Sequence, residues 1–224
     1  MKLRSGIGTG AATLGALIAL ASISTSAVAQ GAPPIWTGFY LGGSLGIGKS
    51  DAKWKFGDAT TADHKGFGGL AGLQAGYNWQ SGSILAGVEA DYSWARVKGS
   101  ASCPNPAFNC GSELSNMASV RGRLGWVVTP TAMVYFTAGL GHGEAKWTAK
   151  DALTNTAIGN GGFTQSKNGL VLGGGAEFML AKNWTMKAEY LRYNLGSVSG
   201  VPGTAASDLR MTADTFKLGL NYKF

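Results

Sequence analysis

The sequence predicts an all-β protein: an eight-stranded, antiparallel, up-and-down β-barrel that crosses a membrane on its strands. Three observations predict it. Residues 215–224 alternate without a break, with Phe216, Leu218, Leu220, Tyr222 and Phe224 on one face and Thr215, Lys217, Gly219, Asn221 and Lys223 on the other. A strand of about ten residues with one wholly apolar face is the unit of a membrane barrel. Residues 1–29 carry the parts of a secretory signal. No later stretch approaches the roughly 18 apolar residues a membrane helix needs, so insertion requires a closed barrel whose backbone polar groups all pair internally.

At the start of the chain, Lys2 and Arg4 supply the charged region and residues 11–21 (AATLGALIALA) the short apolar region. Ala27, Val28 and Ala29 form a small-residue cleavage site. Cleavage between Ala29 and Gln30 is expected, leaving one barrel domain over residues 30–224. A membrane anchor is the alternative, but the apolar run is short and rich in Ser, Thr and Gly.

Seven further segments alternate like the last. Residues 39–47 place Phe39, Leu41, Leu45 and Ile47 on one face and Tyr40 and Ser44 on the other. Residues 69–79 turn Ala71, Leu73, Ala75, Tyr77 and Trp79 outward and Gln74, Gly76 and Asn78 inward. Residues 84–94 turn Ile84, Val88, Tyr92 and Trp94 out and Glu89, Asp91 and Ser93 in. Residues 114–126 turn Val120, Leu124 and Trp126 out and Ser119, Arg121 and Arg123 in. Residues 133–143 turn Val134, Phe136 and Leu140 out and Tyr135 and Thr137 in. Residues 170–180 place Leu172 and Phe178 out and Glu177 in. Residues 184–193 place Trp184, Met186 and Tyr190 out and Lys187 and Glu189 in. Eight period-2 segments match the smallest even-numbered membrane barrels.

The connections alternate in length. Tight turns are expected at Gln80-Ser-Gly, Thr129-Pro-Thr and Ala181-Lys-Asn. Polar connections of roughly 20 residues are expected near 48–66, 95–113, 144–168 and 195–212. Short turns on one side and long loops on the other are the outer-membrane pattern, periplasmic and extracellular respectively. An even strand number then puts both termini in the periplasm. Trp36, Trp79, Trp126 and Trp184 are expected to mark the periplasmic rim, and Tyr92 and Trp94 the outer one.

Composition agrees. Glycine is frequent, at 36 residues, and only 14% of residues are charged. Without Lys2 and Arg4 the chain holds 17 basic against 12 acidic residues, a net charge of +5. No basic run points to nucleic acid; contact with anionic lipid headgroups is the expected meaning.

The inward charges are Glu89, Asp91, Glu177 and Glu189 against Arg121, Arg123, Lys187 and Lys217. A lumen this narrow is filled by side chains, so opposite charges are expected to pair into a plug. An ion-selective lumen is the alternative.

Other chemistry is sparse. Cys103 and Cys110 lack the spacing of a redox or zinc site, and in an exported chain they are expected to close a loop disulfide; two free thiols are the alternative. No metal or cofactor is expected. Gly43-Ser-Leu-Gly-Ile-Gly-Lys49-Ser50 matches the phosphate-binding loop pattern, yet it lies inside an alternating strand and no helix follows to present its N–H groups. His142 and Glu144 partly mimic a catalytic pair, but sequence places no serine beside them. His64 lies in the first long connection.

Several stretches resemble the small OmpA-like "porin family" outer-membrane barrels of proteobacteria: Trp36-Thr-Gly-Phe-Tyr-Leu-Gly-Gly, Gly76-Tyr-Asn-Trp79, residues 120–125 (VRGRLG), residues 187–193 (KAEYLRY) and residues 218–224 (LGLNYKF). The resemblance covers the whole exported chain. It implies an outer-membrane location and insertion by the assembly machinery, which reads the C-terminal aromatic strand ending at Phe224. It also implies lipid and lipopolysaccharide as neighbours, with a surface or host ligand met by the extracellular loops. The resemblance carries no chemistry, so a structural, surface-exposed and non-catalytic role is expected. A small-solute channel ranks second and a lipid-modifying enzyme third.

Overall fold

The computed structural model describes residues 35–56, 60–102, 108–151, 153–156, 163–199 and 208–224. They form eight strands: β1 (Gly38–Phe56), β2 (Thr60–Ser81), β3 (Ile84–Ser102), β4 (Phe108–Thr129), β5 (Ala132–Asp151), β6 (Phe163–Ala181), β7 (Trp184–Ser199) and β8 (Asp208–Lys223). Each pairs with the next in antiparallel register, and β8 returns to β1 to close the barrel. Among the described residues no helix is long and apolar enough to cross a membrane, which does not bear on crossing by strands.

Alternation explains the wall. Phe39, Leu45, Val120, Leu124, Phe136, Leu140, Leu170 and Phe224 are all exposed on the outer face. Their neighbours Tyr40, Ser44, Ser119, Arg121, Arg123, Tyr135 and Thr137 are buried inside. Period-2 geometry produces this split directly. Aromatic rings gather at the tight-turn end. Phe39 meets Tyr77 at 4.5 Å and Tyr77 meets Trp79 at 4.5 Å, while Trp184, Tyr222 and Phe224 follow one another at 5.2 Å. Tyr92 and Trp94 pair at 5.1 Å toward the other end.

Two features differ from the sequence reading. The strands run 16 to 22 residues, well past the apolar band. Ladder pairs continue to Phe56↔Thr60, Ser102↔Asn109, Trp147↔Phe163 and Ser199↔Asp208. Most of each expected long loop is therefore paired strand, and the intervals between strands at that end shrink to 57–59, 103–107, 152–162 and 200–207. Beyond the band the outward positions turn polar while inward ones such as Val97, Leu114 and Leu195 are apolar, so the sense of the alternation reverses while backbone pairing persists. Trp36 is the second difference. It is 1% exposed and lies inside the barrel with Leu85, Val127, Met133 and Tyr135, not on the rim. It precedes β1, and its backbone N–H donates to Gln80 Oε1 at 3.0 Å, tying the segment before β1 to the end of β2.

Candidate functional site

The lumen holds three stacked layers. Trp36, Leu85, Val127 and Met133 close the tight-turn end. A polar and ionic layer follows. Above it an apolar cluster including Leu70, Val97, Leu114, Met117, Leu191 and Leu195 fills the barrel toward the long-connection end. Chain order fixes the stacking: inward positions climb β3 from Leu85 through Glu89 and Asp91 to Val97, and β7 from Lys187 and Glu189 to Leu191 and Leu195.

The middle layer contains Glu89, Asp91, Arg121, Arg123, Glu177, Lys187, Glu189 and Lys217, all buried. Four are basic and four acidic, so this layer is neutral. Glu89 is the hub. Its carboxylate lies 2.5 Å from Arg121, 2.7 Å from Lys187 and 3.6 Å from Arg123. Arg121 also reaches Asp91 and Glu189 at 3.1 Å each. Arg123 binds Glu177 at 2.7 Å and Lys217 binds Asp91 at 2.8 Å. Neutral side chains add to the shell: Ser119 donates to Asp91, Thr185 and Asn221 to Glu177, and Gln74 to Asn221. A buried charge in low dielectric is tolerated only with such pairing, and stripping one partner costs about 3–5 kcal/mol.

Two tyrosines extend the network by a shared device. Tyr40 sits opposite Gly76 in the β1–β2 ladder, and Tyr135 opposite Gly175 in the β5–β6 ladder. A Cβ on Gly76 would collide with the Tyr40 hydroxyl, and one on Gly175 would lie 2.7 Å from that of Tyr135. Each tyrosine therefore reaches over a bare glycine, an aromatic–glycine pairing that also pins register. Tyr40 donates to Glu89 at 2.8 Å and Tyr135 to Glu189 at 2.9 Å. The Arg123 guanidinium lies between the rings, 5.6 Å from one centroid and 3.9 Å from the other. Sequence placed Tyr40, Tyr135 and Gly76 inward but gave no sign of this pairing; the signal was Tyr and Gly at equivalent inward positions of neighbouring segments.

The remaining candidates lie elsewhere. Phe224 is 70% exposed at the tight-turn end; its N–H donates to Phe39 O at 2.9 Å, joining the last residue to β1. The stretch from Gly43 to Ser50 is β1 strand, its backbone laddered to β2 and β8, so it forms no phosphate cradle. His142 points outward, its Nδ1 2.6 Å from Asn168 Oδ1. Glu144 accepts from Asn116 at 3.1 Å, and the Ser115 hydroxyl engages the Glu144 carbonyl oxygen. Ser166 stands opposite Glu144 in the ladder, a neighbour sequence could not supply. The expected Cys103–Cys110 bridge, the side chain of His64 and the expected signal with its Ala29–Gln30 cleavage site lie outside the described residues.

Residues 15–224 match the family model described as the outer membrane protein beta-barrel domain. The 31 kDa outer-membrane immunogenic protein of Brucella melitensis is 32% identical over 202 residues, covering 84% of each chain. The 22 kDa outer membrane protein of Rhizobium leguminosarum bv. viciae is 30% identical over 190 residues, covering 84% of this chain and 78% of that one. Among solved structures, the outer membrane protein OprG from Pseudomonas aeruginosa matches with a TM-score of 0.51 and 12% identity, over 84% of this chain and 96% of its own; that likeness concerns fold alone.

Proposed function

The chain belongs to the outer membrane protein beta-barrel family, and from that premise we propose that it is a closed, non-catalytic barrel that serves the envelope as a structural and surface-exposed protein. One observation carries the reading: the lumen is blocked at three levels, by an apolar floor, a neutral ion-paired layer and an apolar cap. An ion crossing it would have to shed water into apolar layers, at a cost of several kcal/mol even after relaxation. Solute transport, the alternative role, requires an open path.

The tight-turn end faces the periplasm and the long-connection end the outside. Turn asymmetry supports that orientation, with intervals of two residues at one end against three to eleven at the other. Residues 1–29 are the export signal, removed before Gln30. Phe224 presents the terminal strand to the assembly machinery. Outer-leaflet lipid and lipopolysaccharide surround the wall, and the long-connection end is the surface any external ligand meets. The relatives named immunogenic are in keeping with surface display. Catalysis on lipid finds little support: His142 engages an amide, and the Ser115 hydroxyl is engaged by a backbone carbonyl.

Liposome swelling tests the reading. Vesicles holding the refolded protein should admit small sugars no faster than empty vesicles. Swelling that scales with protein content and falls with solute size would return the protein to the channel class.

A further inference from the structure

On the outer wall two depressions lie one above the other. The lower is an apolar groove of about 870 Å³ across β2 to β6. Its floor is set by small side chains, Ala75 and Ala90 in one ladder row and Ala118 in the next, between the larger Tyr92, Val120 and Leu140. Its upper edge is polar, formed by the His142–Asn168 pair. The upper depression, about 760 Å³, lies over Gly111 on β4 and is rimmed by Lys98, Lys146 and Lys150 with Ser100, Thr148 and Asn155. Asn155 is brought there by a tight turn in which its N–H donates to Asp151 O at 2.9 Å and it takes a φ of 54°.

Charge sets the occupant. Three ammonium groups face one carboxylate in the upper depression, Glu113. Glu113 stands between Lys98 and Lys146 in the ladder, 3.7 Å from the Lys98 ammonium. The other carboxylates nearby are engaged: Glu144 by Asn116, and Asp151 by the N–H groups of Leu153 and Thr154. Along β5 the outward positions rise from His142 through Glu144 to Lys146, about 14 Å at ~3.4 Å per residue. An occupant matching both parts has an acyl chain below, hydrogen-bonding groups at the level of His142 and phosphate above.

We infer that the β2–β6 wall is a docking site for an acylated, phosphorylated sugar of the outer leaflet, the lipid A part of lipopolysaccharide. An acyl chain lies in the Ala75–Ala90–Ala118 groove and a phosphate sits over Gly111 among Lys98, Lys146 and Lys150. The inference rests on the orientation proposed above and gives the surrounding lipopolysaccharide a specific place on the wall.

Refolded full-length protein in zwitterionic nanodiscs is titrated with three probes: bis-phosphorylated lipid A, the same lipid without phosphates, and the deacylated phosphosugar. Lipid A binds tightest. Lys146→Gln and Lys150→Gln each weaken it about fivefold, as expected for a basic residue near an anionic lipid surface. Lys182→Gln, at the tight-turn end, leaves it unchanged. Ala90→Phe fills the groove and weakens lipid A without changing binding of the phosphosugar. Heat-shifted gel migration confirms that each variant is folded. Equal affinity for the phosphate-free lipid, or indifference to both lysine variants, overturns the site. Phosphosugar affinity equal to that of lipid A overturns the acyl groove and leaves a soluble-anion notch. Labelling a cysteine at Leu153, which is exposed at the long-connection end and outside both depressions, in intact cells separates the two readings. If it reacts and lipid A does not bind, the docking site fails alone; if it does not react, the orientation fails with it.

Discussion

Lys217 and Asp91 are separated by 126 positions and sit three strands apart around the barrel, yet the Lys217 ammonium lies 2.8 Å from the Asp91 carboxylate. In the ladder Lys217 stands directly beside Glu189, and Lys187 beside Glu177. Their ammonium groups instead cross the lumen, to Asp91 and to Glu89 on β3. The ionic layer thus braces distant walls as well as the neighbouring β3–β4 pair, where Glu89 stands opposite Arg121.

The hub geometry ranks the network by substitution. Glu89→Gln leaves Arg121, Arg123 and Lys187 short of a charge partner at once. Lys217→Met removes a charge whose partner Asp91 keeps Arg121 and Ser119. Glu89→Gln should therefore cost at least the 3–5 kcal/mol of a broken buried pair, and Lys217→Met less. Urea unfolding of refolded protein in micelles measures both; an inverted order would mean that Glu89 is not the hub.

Glycine substitution separates the lumen from the wall. Gly76→Ala and Gly175→Ala push into Tyr40 and Tyr135 and should each destabilise by roughly 1–3 kcal/mol, the usual range for overpacking. Gly122→Ala faces outward, where the nearest atom to a new Cβ is Ala138 O at 3.8 Å. That change should be neutral or stabilise by about 0.4–1 kcal/mol through the unfolded chain. Heat-shift midpoints of the three variants decide.

The tryptophans should divide by position. Trp79, Trp126 and Trp184 are half-exposed on the wall and Trp36 is enclosed. Spin-labelled lipid should quench single-tryptophan proteins carrying any of the first three and spare one carrying Trp36. Trp36→Ala should cost about 3–5 kcal/mol, as for other large core truncations. Strong lipid quenching of Trp36 would contradict the closed floor.

Deleting Phe224 should reduce outer-membrane levels while export continues, because the residue both ends the exposed aromatic row and donates to Phe39 at the β1–β8 seam. Fractionation of cells producing the truncated chain checks this, with normal outer-membrane levels as the contrary result.

Much of this was legible in sequence because a strand alternates strictly. The inward placement of Glu89, Arg121, Lys187 and Lys217, the outward band and the strand number follow from residue parity. Partner choice does not, since side chains four or more strands apart in sequence meet only when the sheet closes. The apolar cap was also hidden. Leu191, Tyr193 and Leu195 are inward apolar residues on a stretch whose outward positions, Arg192 and Asn194, are polar, so the usual sense of the alternation reverses. The same reversal made the outer halves of the strands read as loops. Trp36 was misplaced because it precedes the first alternating residue and no parity applies to it.

Layered packing closes the lumen, and single-channel recording on refolded wild-type protein in a planar bilayer is the decisive experiment. A closed lumen gives no steady conductance, only brief and rare steps. Large, sustained, ion-selective currents from the wild type, unaltered by Glu89→Gln or Lys217→Met, would contradict it.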